Sequence, residues 1–202
     1  MSGTSHEGRQ IRGVVLNAGG GNKPAVLFNG CQHAREWISP MSTINIADSL
    51  ADGYGTDSTI TALLDKVEII VIPVVNPDGF EHTYAAGGYR FWRKNRRDNA
   101  GSCEGVDLNR NWDADWNGGE STSTDPCSDI YVGPGPMSEP EVSDESLLHG
   151  VPVVEADVSD PAALAHARLG EQATAGRLQV TEEPDHPDLH PDQSEHAAHH
   201  QA

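Results

Sequence analysis

Every aromatic residue of this chain lies at or before Tyr131, although the chain runs to 202 residues. The four Trp, four Tyr and three Phe are all spent by that point, and residues 143–202 contain none. That last stretch holds seven of the ten His and only two basic residues, Arg168 and Arg177. A segment rich in Asp, Glu, Pro and His buries too little apolar surface to offset the entropy of ordering it. The chain is therefore expected to divide into an ordered part, residues 1–142, and an acidic, His- and Pro-rich tail, residues 143–202, that is disordered or foreign to the fold. A formal net charge of −18 makes nucleic acid and anionic membrane surfaces unsuitable partners. No apolar run approaches the roughly 20 residues of a membrane span, and the first eight residues carry no apolar signal region.

Within the first part, residues 11–16 read as a strand followed by the turn cluster Gly19-Gly20-Gly21-Asn22. Residues 25–28 form a short apolar run ending at Asn29-Gly30. Trp37, Met41, Ile44, Ala47 and Ala51 recur at helical spacing, which predicts an amphipathic helix over 37–51. Asp57 or Ser58 caps a second short helix with Ile60, Leu63 and Leu64 on its inner face. The β-branched run 67–75 is the strongest strand signal and stops at the turn Asn76-Pro77-Asp78-Gly79. Strands alternating with helices argue an α/β fold, with helices packed on both faces of the sheet. Sites in such sheets form in loops beyond the carboxyl ends of strands.

Three motifs sit in those places. His33-Ala34-Arg35-Glu36 follows the strand that ends at Asn29, and an imidazole and a carboxylate three residues apart can both reach one zinc ion. The same pattern is also that of a solvated helix start, with Glu36 favoured by the helix dipole. Arg90-Phe91-Trp92-Arg93-Lys94-Asn95-Arg96-Arg97 places five cations within eight residues of an acidic protein. Gly105-Val106-Asp107-Leu108-Asn109-Arg110-Asn111-Trp112 sets an Asn beside an Arg, a pair able to hold a carboxylate, the Arg through two parallel hydrogen bonds.

Taken in order, Asn29-Gly30-Cys31-Gln32-His33-Ala34-Arg35-Glu36-Trp37, Asn76-Pro77-Asp78-Gly79-Phe80, Trp92-Arg93-Lys94-Asn95-Arg96 and the segment 105–112 resemble the carboxypeptidase A/B type of zinc carboxypeptidase. Ser5-His6-Glu7-Gly8-Arg9 and Ser138-Glu139-Pro140-Glu141 fit the same family, so the resemblance covers roughly residues 5–141. It implies a carboxypeptidase-like, mixed and mostly parallel sheet, here incomplete, and hydrolysis of the last peptide bond of peptide or protein C-termini with one zinc ion. It also implies roles: His33 and Glu36 as zinc ligands, Asn109 and Arg110 as the grip on the terminal carboxylate, Arg93 as the group that polarises the scissile carbonyl, and Arg35 as an aid to substrate binding. Cys103 and Cys127 match the family's disulfide, which argues an oxidising, secreted setting. Cys31 is left as a spare thiol, either a buried small hydrophobe or an adventitious soft metal ligand.

The family also implies a third ligand, a His in a His-Ser-Tyr-like context, with a downstream Tyr and a general-base Glu. None of these contexts follows Glu141. His166 falls at a suitable distance from Glu36 for the third ligand, but its surroundings read as helical. Glu155, Glu171, Glu182, Glu183 and Glu195 fall in no recognisable strand. The change of composition near Val142 reads as a shifted reading frame, an alternative ending or a fusion, and little or no peptidase activity is expected of this chain. The competing function is a non-catalytic module that binds peptide C-termini or metal. The histidines His196, His199 and His200 read as a weak, adventitious metal-binding tract.

Overall fold

The computed structural model describes residues 3–143 and the strand Val153–Ala156. Four strands make one sheet in the order β2-β3-β1-β4: β1 is Gly13–Leu16, β2 Ala25–Asn29, β3 Glu68–Ile72 and β4 Val153–Ala156. β2 pairs with β3 in parallel, β1 pairs with β4 in parallel, and β1 pairs with β3 antiparallel, so the sheet is mixed. Glu155 was expected in no strand, yet it lies in β4 opposite Val15. Val153 and Val154 favour extended backbone, and the open edge of β1 offers a line of unpaired peptide groups for a short strand to join. An average over the whole tail hides so local a signal.

β3 is buried on both faces, which explains its unbroken apolar run. Ile69 and Val71 join Val14, Leu16, Ala51 and Leu64 in one cluster; Ile70 and Ile72 join Ile11, Val15, Val75, Leu108 and Val142 in another. The first cluster is roofed by helices α1, Ile38–Gly53, and α2, Ser58–Leu64, through Ala47, Leu50, Ala51 and Ile60. The second is closed by the 3-10 turn Leu108–Arg110 and by Trp112 and Met137 from irregular segments. Among the described residues, then, the helical cover lies on one face of the sheet. Asp57 caps α2, its carboxylate accepting from the Thr59 and Ile60 N–H groups. Leu64 faces the core, but Leu63 is 42 % exposed, so the inner stripe of this two-turn helix is narrower than the apolar pattern predicts.

The turn expected at Asn76–Gly79 is the start of a third helix, α3, Pro77–His82. Asn76 Oδ1 accepts from the Gly79 N–H, and Pro77 takes the first helical position, where its missing N–H costs nothing. Gly79 is required by close approach: a Cβ there would stand 2.6 Å from Asn76 Oδ1 and 2.6 Å from the Lys94 carbonyl oxygen. No helix among the described residues is long and apolar enough to cross a membrane.

Candidate metal and carboxylate site

The site grows from the carboxyl ends of the parallel pair β2 and β3. Pairing continues past both strands: the Gly30 N–H donates to the Ile72 carbonyl, the Val75 N–H to the Gly30 carbonyl and the Asn76 N–H to the Cys31 carbonyl. Cys31 turns the chain out of β2 with a φ of 55°, and its N–H is taken by Ser39 Oγ. Buried Asn76 then ties two loops together, its Nδ2 donating 3.0 Å bonds to the carbonyls of Gln32 and Lys94. The Ala34 N–H donates to the Arg93 carbonyl. His33 and Arg93, sixty residues apart, are thus neighbours through backbone contacts that surround each of them.

Asp107 is the centre of the arrangement. Its side chain is fully buried; Oδ1 lies 3.1 Å from His33 Nε2, and Oδ2 accepts from Arg93 Nε at 3.1 Å and Nη2 at 2.8 Å. Oδ1 also accepts from the Asn109 N–H, fixing the 3-10 turn that carries Asn109 and Arg110. Burial alone would raise the Asp107 carboxyl, but the hydrogen bonds from His33 and Arg93 outweigh it and hold it below its ordinary value. His33 Nδ1 lies 2.8 Å from Glu36 Oε1, and in the tautomer that donates Nε2–H to Asp107 its lone pair faces that oxygen. A nitrogen lone pair and a carboxylate oxygen repel unless a proton or a cation lies between them. That donor pair, with the imidazole held from behind by a carboxylate, fits a zinc ion.

The other residues singled out by sequence surround this centre. Arg35 is one third exposed, donates to the Phe91 carbonyl and stands 3.6 Å from Asp129. Arg90 lies 3.8 Å above the Trp37 ring and donates to the Arg35 carbonyl. Arg110 gives Nε to the Ser121 carbonyl and Nη1 to the Asn109 carbonyl, and faces a cleft of about 340 Å³ lined by Asn109, Trp112, Trp116 and Glu120. Cys103 and Cys127 are joined in a disulfide that closes a loop around this turn. Lys94, itself buried, donates to the Pro126 carbonyl beside the bridge. Cys31 is free and buried, and burial pushes its thiol up to about 12, so it behaves as a small hydrophobe.

The structure therefore brings His33, Arg93 and the Asn109 N–H onto one carboxylate within the motifs, with Glu36 joined to it through His33 and Arg110 carried on the same 3-10 turn. The signal for Asp107 was its place immediately before a polar turn, where Asp commonly caps. His166, Glu171, Glu182, Glu183, Glu195 and the terminal histidines lie outside the described residues.

Residues 1–147 match the zinc carboxypeptidase family of M14 peptidases. A metallocarboxypeptidase A-like protein of Trichophyton verrucosum is 49 % identical over 153 residues, covering 74 % of this chain and 35 % of the relative. Carboxypeptidase A2 of Mus musculus is 45 % identical over 141 residues, covering 69 % of this chain and 33 % of the relative. The crystal structure of carboxypeptidase A from Helicoverpa armigera superposes with a TM-score of 0.59 at 36 % identity, covering 70 % of this chain and 34 % of that one. The chain spans about a third of the length of the curated relatives it matches.

Proposed function

Because this chain belongs to the zinc carboxypeptidase family, we propose that its described residues form the two-ligand and carboxylate-binding portion of an exopeptidase site, which recognises peptide C-termini and turns them over slowly or not at all. The observation that carries this is the meeting of His33 Nδ1 and the Glu36 carboxylate at 2.8 Å, with Asp107 holding His33 and Arg93 on opposite oxygens.

In this reading His33 and Glu36 hold one zinc ion, and Asp107 orients the imidazole. Zinc bound there would polarise a carbonyl and lower the pKa of a water. Arg93 stands beside the metal position as a fixed cation, able to oppose negative charge as it develops on the scissile carbonyl oxygen. Arg110 has five N–H donors, two of them engaged with backbone carbonyls, and offers the rest to a terminal carboxylate with Asn109 beside it. Arg35 steers the peptide from the exposed side. That grip confines recognition to chain ends. What the described residues do not supply is a third metal ligand beside His33 and Glu36, or a carboxylate placed as general base. General-base help is typically worth about 10²–10⁴ in rate. The Cys103–Cys127 bridge supports an extracellular, oxidising setting.

The test compares short peptides with free and amidated C-termini, scored for binding and for amino-acid release with zinc added. Free-carboxylate peptides are expected to bind better by about ten- to hundredfold, the worth of a charge-assisted hydrogen bond. Arg110→Ala is expected to erase that preference, and release is expected to stay slow. Equal binding of amidated peptides would refute the carboxylate grip. Rapid, chelator-sensitive release would refute the slow turnover and point to groups outside the described residues.

A further inference from the structure

A second donor cluster uses none of the residues of the His33 centre. It lies where the amino-terminal segment meets the turn that closes the described core. His6 comes from the first segment, Glu139 and Glu141 flank Pro140, and Asn95 and Arg97 come from the basic run. His6 Nε2 is 2.7 Å from Glu139 Oε2 and 4.0 Å from Glu141 Oε2. One ligand atom from each of the three residues lies within 4.8 Å of the others, the one such grouping of His, Cys, Asp and Glu among the described residues. Both carboxylates are fully buried, while the His6 side chain keeps 25 % of its surface in solvent and marks a way in.

The two carboxylates are not equally satisfied. Glu139 accepts from Arg97 Nη1, Ser138 Oγ and Asn95 Nδ2, besides its contact with His6. Glu141 shares the same Asn95 Nδ2 through Oε2 at 3.1 Å, and its Oε1 is buried with no hydrogen-bond partner. An orphaned, fully buried carboxylate oxygen is destabilising, and it belongs to a residue whose cluster already gathers an imidazole nitrogen and a second carboxylate. Burial pushes Glu141 up to about 7, and the hydrogen bond to Glu139 raises His6, so the cluster retains protons against solvent.

We propose that His6, Glu139 and Glu141 form a second metal site, one that takes a divalent ion of zinc's size and preference for nitrogen and oxygen donors and ties the amino-terminal segment to the closing turn. Zinc's bonds to such donors are about 2.0–2.2 Å and tetrahedral, which sets donors about 3.3–3.6 Å apart, so the 2.7 Å pair has to open and the 4.0 Å pair to close, each by roughly half an ångström. Arg97 and Asn95 remain behind Glu139 and orient it as outer partners. Calcium and magnesium favour six or more oxygens, which a set of one imidazole and two carboxylates does not provide. The site is independent of the function proposed above.

The test is equilibrium dialysis of the full chain against zinc alone near neutral pH, in a His33→Ala background that silences the other centre. One equivalent is expected to bind, to raise the Tm, and to weaken as pH falls because the donors must lose protons. His6→Ala and Glu141→Gln are each expected to weaken that equivalent at least about tenfold and to remove the rise in Tm; loss of a metal-orienting group alone costs about 10–100-fold. If Glu141→Gln fails to fold, His6→Ala, on the partly exposed side, decides alone. Binding and Tm that neither substitution alters would mean an adventitious ion only, held elsewhere on the chain, and would overturn the proposal. So would the absence of any bound equivalent in the His33→Ala background.

Discussion

Asp107 has no exposed surface, yet His33, Arg93 and the Asn109 N–H all converge on its two oxygens. Replacing it with Asn keeps the shape but halves the acceptor capacity, and it leaves Arg93, only 12 % exposed, beside a neutral group. Breaking a buried pair from one side costs on the order of 3 kcal/mol. Asp107→Asn is therefore expected to lower stability by about that much and to weaken zinc at His33 and Glu36 by about 10–100-fold, the usual effect of losing the group that orients a ligating His. Denaturant unfolding and a zinc titration check the two effects separately; lost stability with unchanged zinc affinity would confine Asp107 to packing Arg93. Glu36 makes a useful contrast. Its side chain is half exposed, so Glu36→Gln is expected to cost zinc while moving stability by less than about 0.5 kcal/mol. In the sequence His33 and Glu36 are legible as a local pattern suited to a metal, and Arg93 only through the family resemblance of its segment. Asp107 is not, because its partner His33 is 74 residues away and only the fold makes them neighbours.

The elements were legible in proportion to their length and periodicity. β3 and α1 announce themselves through long apolar patterns; α3, with six residues, has too few turns for a periodicity to show. Asn-Pro-Asp-Gly is a turn signal and also the cap and first turn of a helix, and the close packing of Gly79 under Lys94 decides between them. The irregular segment 103–127 has neither strand nor helix pattern beyond the short turn Leu108–Arg110, so its order depends on cross-links. The disulfide joins residues 24 apart, Arg110 Nε reaches the Ser121 carbonyl, and Lys94 reaches Pro126. In the chain-entropy account, a closed loop of that size is worth about 3 kcal/mol. Cys103→Ser with Cys127→Ser is expected to lose about that much stability and to weaken carboxylate binding at Arg110, read as the free-versus-amidated peptide ratio. Lost stability with an unchanged ratio would show that the turn is held by Asp107 and Ser121 without the bridge.

For the molecule as a whole, composition and topology disagree about residues beyond 143, and that disagreement can be measured. The aromatic-free tail argues that removal of residues 144–202 costs nothing, since no aromatic side chain is lost. The sheet argues otherwise, because β4 covers the outer edge of β1 in parallel register, Val14 opposite Val154 and Leu16 opposite Ala156. Without it, Gly13–Leu16 becomes an edge strand with unpaired peptide groups on one side. Each backbone hydrogen bond contributes about 0.5–1.5 kcal/mol net, so a short edge pairing should slow local opening of β1 by roughly an order of magnitude. Amide exchange in the full chain is therefore expected to be slower at residues 13–16 than in a chain ending at Ser143, with β2, paired only to β3, unchanged between the two. Protection of Val153–Ala156 themselves would accompany it. Equal exchange at residues 13–16 in both chains, together with an equal Tm, would place the edge of the sheet at β1 and the end of the folded core at Val142, as the distribution of aromatic residues argues.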